Sequence, residues 1–155
     1  MSERIRNALF NSIGDEIEGV TVLDAFAGTG SVGLEALSRG AKTAVFVEKD
    51  RIAQKILAKN ITSLGAETRS TVIRTTVHNW LETADLPRFD IIFADPPYHD
   101  TQFSTVAKLF DLLQPNGLMV LSHPGRGEAP TKLGIVVVDN RSYGNASLTF
   151  YRRNA

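Results

Sequence analysis

Two short clusters hold the residue types from which a reaction could be built. The first, Asp95-Pro96-Pro97-Tyr98, sets a carboxylate, two prolines and an aromatic ring in a row. Consecutive prolines hold the backbone extended and remove two N–H donors, so the carbonyls turn outward as acceptors. An exocyclic amine on a base has its lone pair delocalised into the ring, and its protons must be engaged before the nitrogen can attack. Asp95 and the Pro96 carbonyl can take one proton each. Tyr98 offers a face on which a base drawn from its helix can stack, a contact worth about 1–3 kcal/mol. The plain alternative is an acidic strand end followed by a proline turn and a buried tyrosine.

The second cluster is Asp24 followed by Gly28-x-Gly30-x-x-Gly33, with Glu48 placed 20 positions after Gly28. This glycine spacing is the dinucleotide fingerprint, and an acidic residue closing the next strand commonly accepts ribose hydroxyls. NAD and S-adenosylmethionine (SAM) both fit that much. Asp24 separates them: a carboxylate at a strand tip beside the glycines suits an ammonium group better than a pyrophosphate. Glycines forming a tight turn, with Asp24 as an N-terminal helix cap, is the structural alternative.

These residues need a scaffold of alternating strands and helices. Val20–Ala25 is an apolar run with little alternation, as expected of a strand buried on both faces. It leads into a helix over Ser31–Arg39, whose free N–H groups point back over the strand end. Ile5, Leu9 and Ile13 mark an amphipathic helix before it. Thr43–Val47 follows as a second strand, then a helix through Ile52, Ile56, Leu57, Ile61 and Leu64 that ends at Gly65. Thr71–Thr75 is a third strand, with a short helix around Asn79–Ala84. Phe89–Ala94 runs directly into Asp95, and a helix from Phe103 to Leu113 comes next. After a Pro115-Asn116-Gly117 turn, Leu118–Ser122 is the fifth strand. Gly134–Asp139 and Ala146–Tyr151, joined through Arg141–Asn145, form a hairpin. The first and fourth strands are thereby expected side by side at a topological switch point, with both clusters facing one crevice.

A chain of 155 residues suffices for one α/β domain, residues 1–155, and is too short for a cofactor domain plus a substrate domain. That counts against a two-domain dehydrogenase. No cysteine is present, which excludes disulfides, thiolate zinc sites and a cysteine nucleophile. Basic and acidic residues number 17 each, so whole-chain charge advertises no nucleic acid, and any such contact must come from local clusters. Arg4, Arg6 and Arg126 are the candidates, with Arg152 and Arg153 at the end. His78, His99 and His123 are scattered and are read as surface or capping residues, and no metal site is expected. No leader or apolar span is visible, so the expected location is the cytoplasm, away from membranes.

The acidic strand end, glycine loop and second acidic residue together resemble the SAM site of class I methyltransferases. Asp95 to Tyr98 is similar to the motif of enzymes that methylate the amino groups of adenine, cytosine or guanine. The ordered set RIRNALFN, LDAFAGTGSVGLEALSRGA, FVEKD, FADPPY and YGNASLTFYRR resembles the RsmD family, which methylates N2 of one guanine in small-subunit (16S) ribosomal RNA. This resemblance covers nearly the whole chain. It implies a Rossmann-like, seven-stranded, mostly parallel sheet of order 3-2-1-4-5-7-6 with helices on both faces.

It further implies SAM as cofactor, S-adenosylhomocysteine as product and no metal. The cofactor would be held by Asp24, Gly28 and Gly30 around its amino-acid end and by Glu48 at its ribose, with Phe26 and Lys49 also among the cofactor-binding residues. Thr76 stands where many class I enzymes place an aspartate for the adenine, so Asn79 or backbone is expected to share that contact. Asp95, Pro96, Pro97 and Tyr98 would meet the guanine, and Arg4, Arg6 and Arg126 the RNA. The chain starts almost at the N-terminal helix, without the β-hairpin and basic segment usual in the family. A monomer acting on an assembled or assembling 30S particle is therefore expected. A methyltransferase for another amino group, in DNA or protein, and a catalytically silent RNA-binding scaffold are the competing readings.

Overall fold

The structure, a computed structural model, describes residues 1–125 and 129–155. Its strands are β1 (Thr21–Asp24), β2 (Thr43–Val47), β3 (Ser70–Ile73), β4 (Phe89–Ala94), β5 (Leu113–His123), β6 (Ile135–Tyr143) and β7 (Ala146–Arg153). They form one seven-stranded sheet in the order β3-β2-β1-β4-β5-β7-β6, as the resemblance implied. The first five strands pair in parallel, and β7 lies antiparallel to both β5 and β6.

The helices are α1 (Glu3–Ile13), α2 (Ser31–Ser38), α3 (Arg51–Ser63), α4 (Val77–Leu81) and α5 (Phe103–Leu109). Those named α1 to α3 cover one face of the sheet, where Leu9, Phe10, Leu34, Leu37 and Leu57 pack on Val22, Phe46 and Ile91. On the other face Trp80, Leu109 and Phe110 from the α4 and α5 side meet Leu23, Ile92 and Tyr151. Val22 and Leu23 point to opposite faces and both are fully buried, so β1 is the central strand its unbroken apolar run predicts. No helix among the described residues is long and apolar enough to cross a membrane.

Local chemistry sets the element boundaries. The Asp50 carboxylate accepts the Ala53 N–H at 2.8 Å and starts α3. Gly40, left-handed at φ 110°, ends the turn after α2. The short helix begins at Val77 instead of Asn79 because the Thr76 hydroxyl accepts the Asn79 N–H at 3.0 Å and acts as its cap. Pro115-Asn116-Gly117 is an excursion inside β5, since Leu113 pairs with Phe89 before pairing resumes at Leu118 on Ile91. Asn116, at φ 65°, lets the strand leave and rejoin its register. The hairpin is tighter than Arg141–Asn145: Tyr143 pairs with Ala146, leaving only Gly144 and Asn145 in the turn. Gly144 takes the positive φ of 62° that such a two-residue turn needs.

Candidate active site

β1 and β4 are neighbours at the point where the strand order reverses, with Asp24 paired to Phe93. Asp24 ends one strand and Asp95 follows the other, so both carboxylates stand at the carboxyl end of the sheet. They meet different fates there.

After β1 the chain turns through the glycine loop. Gly28 is left-handed at φ 57°, and its N–H donates to Glu48 Oε1 at 2.7 Å. The other Glu48 oxygen accepts the Asp50 N–H at 2.8 Å, so the plane of the carboxylate is fixed from two sides. Lone pairs remain on both oxygens for a vicinal diol. The Gly33 N–H, in the first turn of α2, donates to Asp24 Oδ2 at 2.9 Å. A Cβ on Gly33 would lie 2.4 Å from the Phe46 ring, so only glycine lets the helix come this close to the sheet.

Asp24 is thereby turned inward: it is 2% exposed. Burial, reinforced by the charges of Asp95 and Glu48, pushes its carboxyl up to about 7 against the opposing pull of the Gly33 N–H and the Met1 ammonium. Asp24 is not the N-cap of α2, which is Gly30; its contact is with the Gly33 N–H inside the first turn.

Above the loop is a cavity of about 260 Å³. It is lined by Ala25, Phe26 and Gly28 after β1, by Val47, Glu48 and Lys49 from the end of β2 and beyond, by Thr75, Thr76 and Val77 after β3, and by Asp95, Pro97 and Gln102 after β4. Of the residues expected around the cofactor, Phe26, Gly28, Glu48, Lys49 and Thr76 are brought together here. Asp24 and Gly30 are not in its lining; Gly30, at φ 89°, starts α2. Asn79 is exposed and also outside it, its side chain directed at the Thr75 hydroxyl at 3.5 Å. Apolar walls with a fixed carboxylate at one edge suit a nucleoside, and the residues present fit SAM.

At the other strand tip the prolines depart from the expectation of outward carbonyls. The Pro97 carbonyl accepts the Asp100 N–H at 2.9 Å and closes a turn, while Pro96 is buried and is not part of the cavity lining. Asp95 Oδ2 lies 3.2 Å from the Met1 ammonium, so this carboxylate accepts an ammonium group from the crevice side. Tyr98 stands at the rim, 40% exposed, and its hydroxyl shares a 2.8 Å hydrogen bond with Ser122 Oγ at the end of β5. Burial raises the phenol, while the Ser122 bond opposes that shift. The ring is pinned by its hydroxyl and keeps a face open.

Arg4 is exposed on α1. Arg6 is turned toward α2, 3.6 Å from Glu35 Oε1, and Glu35 also pairs with Arg39 at 3.0 Å. Arg126 lies outside the described residues. His78 and His99 are exposed, whereas His123 is not a surface residue. It is 5% exposed, its Nδ1 accepts the Gly125 N–H at 3.1 Å, and its Nε2 then donates to Thr149 Oγ1 at 2.8 Å. Burial lowers its pKa, consistent with a neutral ring joining β5 to β7.

Ala25, Val47, Thr75, Val77 and Gln102 line the cavity and Ser122 holds Tyr98, and none of the six is a candidate site residue by sequence. Thr75 and Val77 flank Thr76, so the cap signal at that threonine was the available clue. Gln102 precedes α5 in a left-handed conformation, φ 47°, for which a glutamine gives no sequence signal.

The family described as Conserved hypothetical protein 95 matches residues 1–152. YlbH of Bacillus subtilis, provisionally named an rRNA methyltransferase, is 30% identical over 158 residues, covering 98% of this chain and 86% of its own. Ribosomal RNA small subunit methyltransferase D of Haemophilus influenzae is 34% identical over 122 residues; the alignment takes in 76% of this chain and 63% of that protein. Among solved structures, Escherichia coli yhhF, provisionally named a methyltransferase, superposes with a TM-score of 0.89 at 30% identity, covering 99% of this chain and 86% of that one. The motif order, the sheet order and these matches agree, and the chain belongs to the Conserved hypothetical protein 95 family, the RsmD family that its motifs resemble.

Proposed function

We propose that this chain transfers a methyl group from SAM to the exocyclic N2 of a guanine in small-subunit ribosomal RNA. The observation that carries the proposal is that Asp95 and Pro97 line the same cavity as Gly28 and Glu48. Its kinship with rRNA methyltransferases supports RNA as the substrate class.

When bound, SAM supplies an electrophilic methyl carbon on a sulfonium. Glu48 fixes the ribose through its two hydroxyls, Phe26 and Val77 cover the base, and Thr76 and Lys49 flank the polar rim. Asp24 acts one step back, holding the Gly33 N–H and with it the start of α2. Tyr98 stacks the guanine, and Asp95 accepts a hydrogen bond from N2, which orients the nitrogen toward the methyl carbon. Asp95 would take one N2 proton on transfer of the methyl group that bound SAM would supply, with S-adenosylhomocysteine as the leaving group. Most of the rate comes from positioning, because the electrophile needs no further activation.

Arg4 is offered to the RNA from α1, and Arg6, sharing Glu35 with Arg39, contributes less. A single copy acting in the cytoplasm on an assembled or assembling 30S particle completes the reading. Incubation with methyl-labelled SAM and, separately, small subunits, stripped small-subunit RNA and DNA, all from cells lacking the enzyme, tests it. Label in guanine N2 of the subunit RNA is expected. Label confined to DNA or protein, or absent from every pool, contradicts it.

A further inference from the structure

Between Lys49 and Lys59 the chain carries four cations, Lys49, Arg51, Lys55 and Lys59, against the single carboxylate of Asp50. Arg51, Lys55 and Lys59 recur every fourth residue and are exposed along one side of α3. Arg74, which follows the edge strand β3, is exposed too. Arg51, Lys55 and Arg74 converge on a cleft of about 300 Å³, with Gln54 and Ala58 completing its lining. No carboxylate is part of that lining.

Among the described residues, the cations in ion pairs are the Met1 ammonium, Arg6, Arg39, His78, Lys132, Arg141 and Arg152. The three cleft cations are absent from those pairs. The nearest carboxylates in sequence are committed to backbone, Glu48 to the Gly28 and Asp50 N–H groups and Asp50 to that of Ala53. Ile52 and Ile56, exposed by 71% and 42%, leave apolar surface beside the cations. Like charges left together without counter-charges repel one another, and an anionic ligand relieves that cost.

The cleft adjoins the cavity. Gln54 lines it, and the Gln54 Nε2 donates to the Glu48 carbonyl at 2.8 Å, while Glu48 and Lys49 line the cavity itself. β2 and β3 lie on the far side of β1 from β4, so a polynucleotide with its target base at Asp95 reaches this cleft with phosphates a few nucleotides away. We propose that Arg51, Lys55 and Arg74 form a phosphate-binding surface that holds the backbone of the substrate RNA a few nucleotides from the target. This proposal rests on the RNA-methyltransferase reading above and deepens it. The contacts are charge on charge, so they place the RNA without reading its bases.

The test compares the full chain with R51Q/K55Q/R74Q and with the charge-keeping R51K/R74K, using unmodified small-subunit RNA. Circular dichroism and SAM calorimetry check that fold and cofactor affinity are retained, as expected for exposed side chains. The neutral variant is expected to bind RNA about 10–100-fold more weakly near 0.1 M salt, with a salt slope shallower by about 2–3. Its KM for RNA rises while kcat stays near wild type. The charge-keeping variant retains the slope, and neutralising Lys42, which precedes β2, changes neither quantity.

Wild-type affinity and slope in the neutral variant, with methylation intact, overturn the surface alone. Saturable binding of inorganic phosphate at millimolar concentration that the neutral variant loses, with RNA affinity unmoved, also overturns it and assigns the cleft to a free phosphate. A wild-type chain that neither binds nor methylates RNA overturns the functional reading and this proposal together.

Discussion

The tips of β1 and β4 are adjacent, with Asp24 ending the one and Asp95 following the other, yet one carboxylate is held by local backbone and the other pairs with the distant Met1 ammonium. Asp24 is drawn under the glycine loop by the Gly33 N–H and is buried. Asp95 is followed by two residues that have no N–H to offer, so its chain neighbours cannot satisfy it and it opens toward the crevice. A carboxylate at a strand end therefore becomes scaffold or reagent according to the backbone donors within reach. Glycines supply those donors and prolines withhold them.

The strongest test of that contrast is Asp95→Asn, which keeps the shape and removes the proton acceptor. Turnover is expected to fall by about 10²–10⁴-fold with SAM affinity retained in calorimetry; a variant within tenfold of wild type would show that the Asp95 carboxylate is not the reagent. Tyr98 separates ring from hydroxyl. Removing the ring with Tyr98→Ala should cost about 10–100-fold in kcat/KM through lost stacking. Tyr98→Phe should cost only a few-fold, because what goes is the hydrogen bond to Ser122. Equal losses would move the role from the ring face to the hydroxyl.

Pro97→Ala tests the cause directly. The N–H two residues after an aspartate is the donor of an Asx-turn, and restoring it gives Asp95 an internal partner. A fall of about 3–10-fold in kcat is expected, with little change in SAM affinity, since one neutral hydrogen bond is worth about 1 kcal/mol. An unchanged kcat would mean that the missing donor is not what leaves Asp95 open to the crevice.

A last effect is on stability instead of turnover and belongs to Asp24. Its carboxyl titrates near 7 in the folded chain and at 3.8 when unperturbed. Between those values the folded chain holds a proton that the unfolded chain has released, so unfolding releases it and stability falls as pH rises through the window. The slope is at most one proton, about 1.4 kcal/mol per pH unit. Asp24→Asn should flatten that part of the profile, read as Tm against pH for both proteins; parallel profiles would place Asp24 outside the titration.

Residue type made much of this site legible in advance. Asp95, Pro97 and Glu48 line one cavity, because a strand end, a proline pair and an acidic residue closing the next strand each constrain their own surroundings, whereas Pro96 is buried and Tyr98 stands outside that lining. The sheet order came with the resemblance, since spacing alone does not order strands. What stayed hidden depended on partners distant in sequence. Asp24 turns inward because α2 brings the Gly33 N–H within 2.9 Å, and no local pattern reports how closely a helix will approach. Ser122 matters through Tyr98, 24 residues away, and His123 is buried through Thr149 on another strand. The four cations between Lys49 and Lys59 were visible in the sequence. Their lack of partners, and the arrival of Arg74 beside them, needed the fold.

β7 lies between β5 and β6 although it is the last of the three in the chain. During synthesis β6 leaves the ribosome before the strand that separates it from β5, so it has no place in the sheet when it first emerges. The half of the molecule built on β1 to β4, with both strand tips, can form while β5 still presents an open edge. Insertion of β7 closes that edge on both sides at once and draws Arg152 to Glu16, tying the newest part of the chain to one of the oldest. Completion of the sheet therefore requires β7, and a chain that ends before it leaves β5 with an unpaired edge.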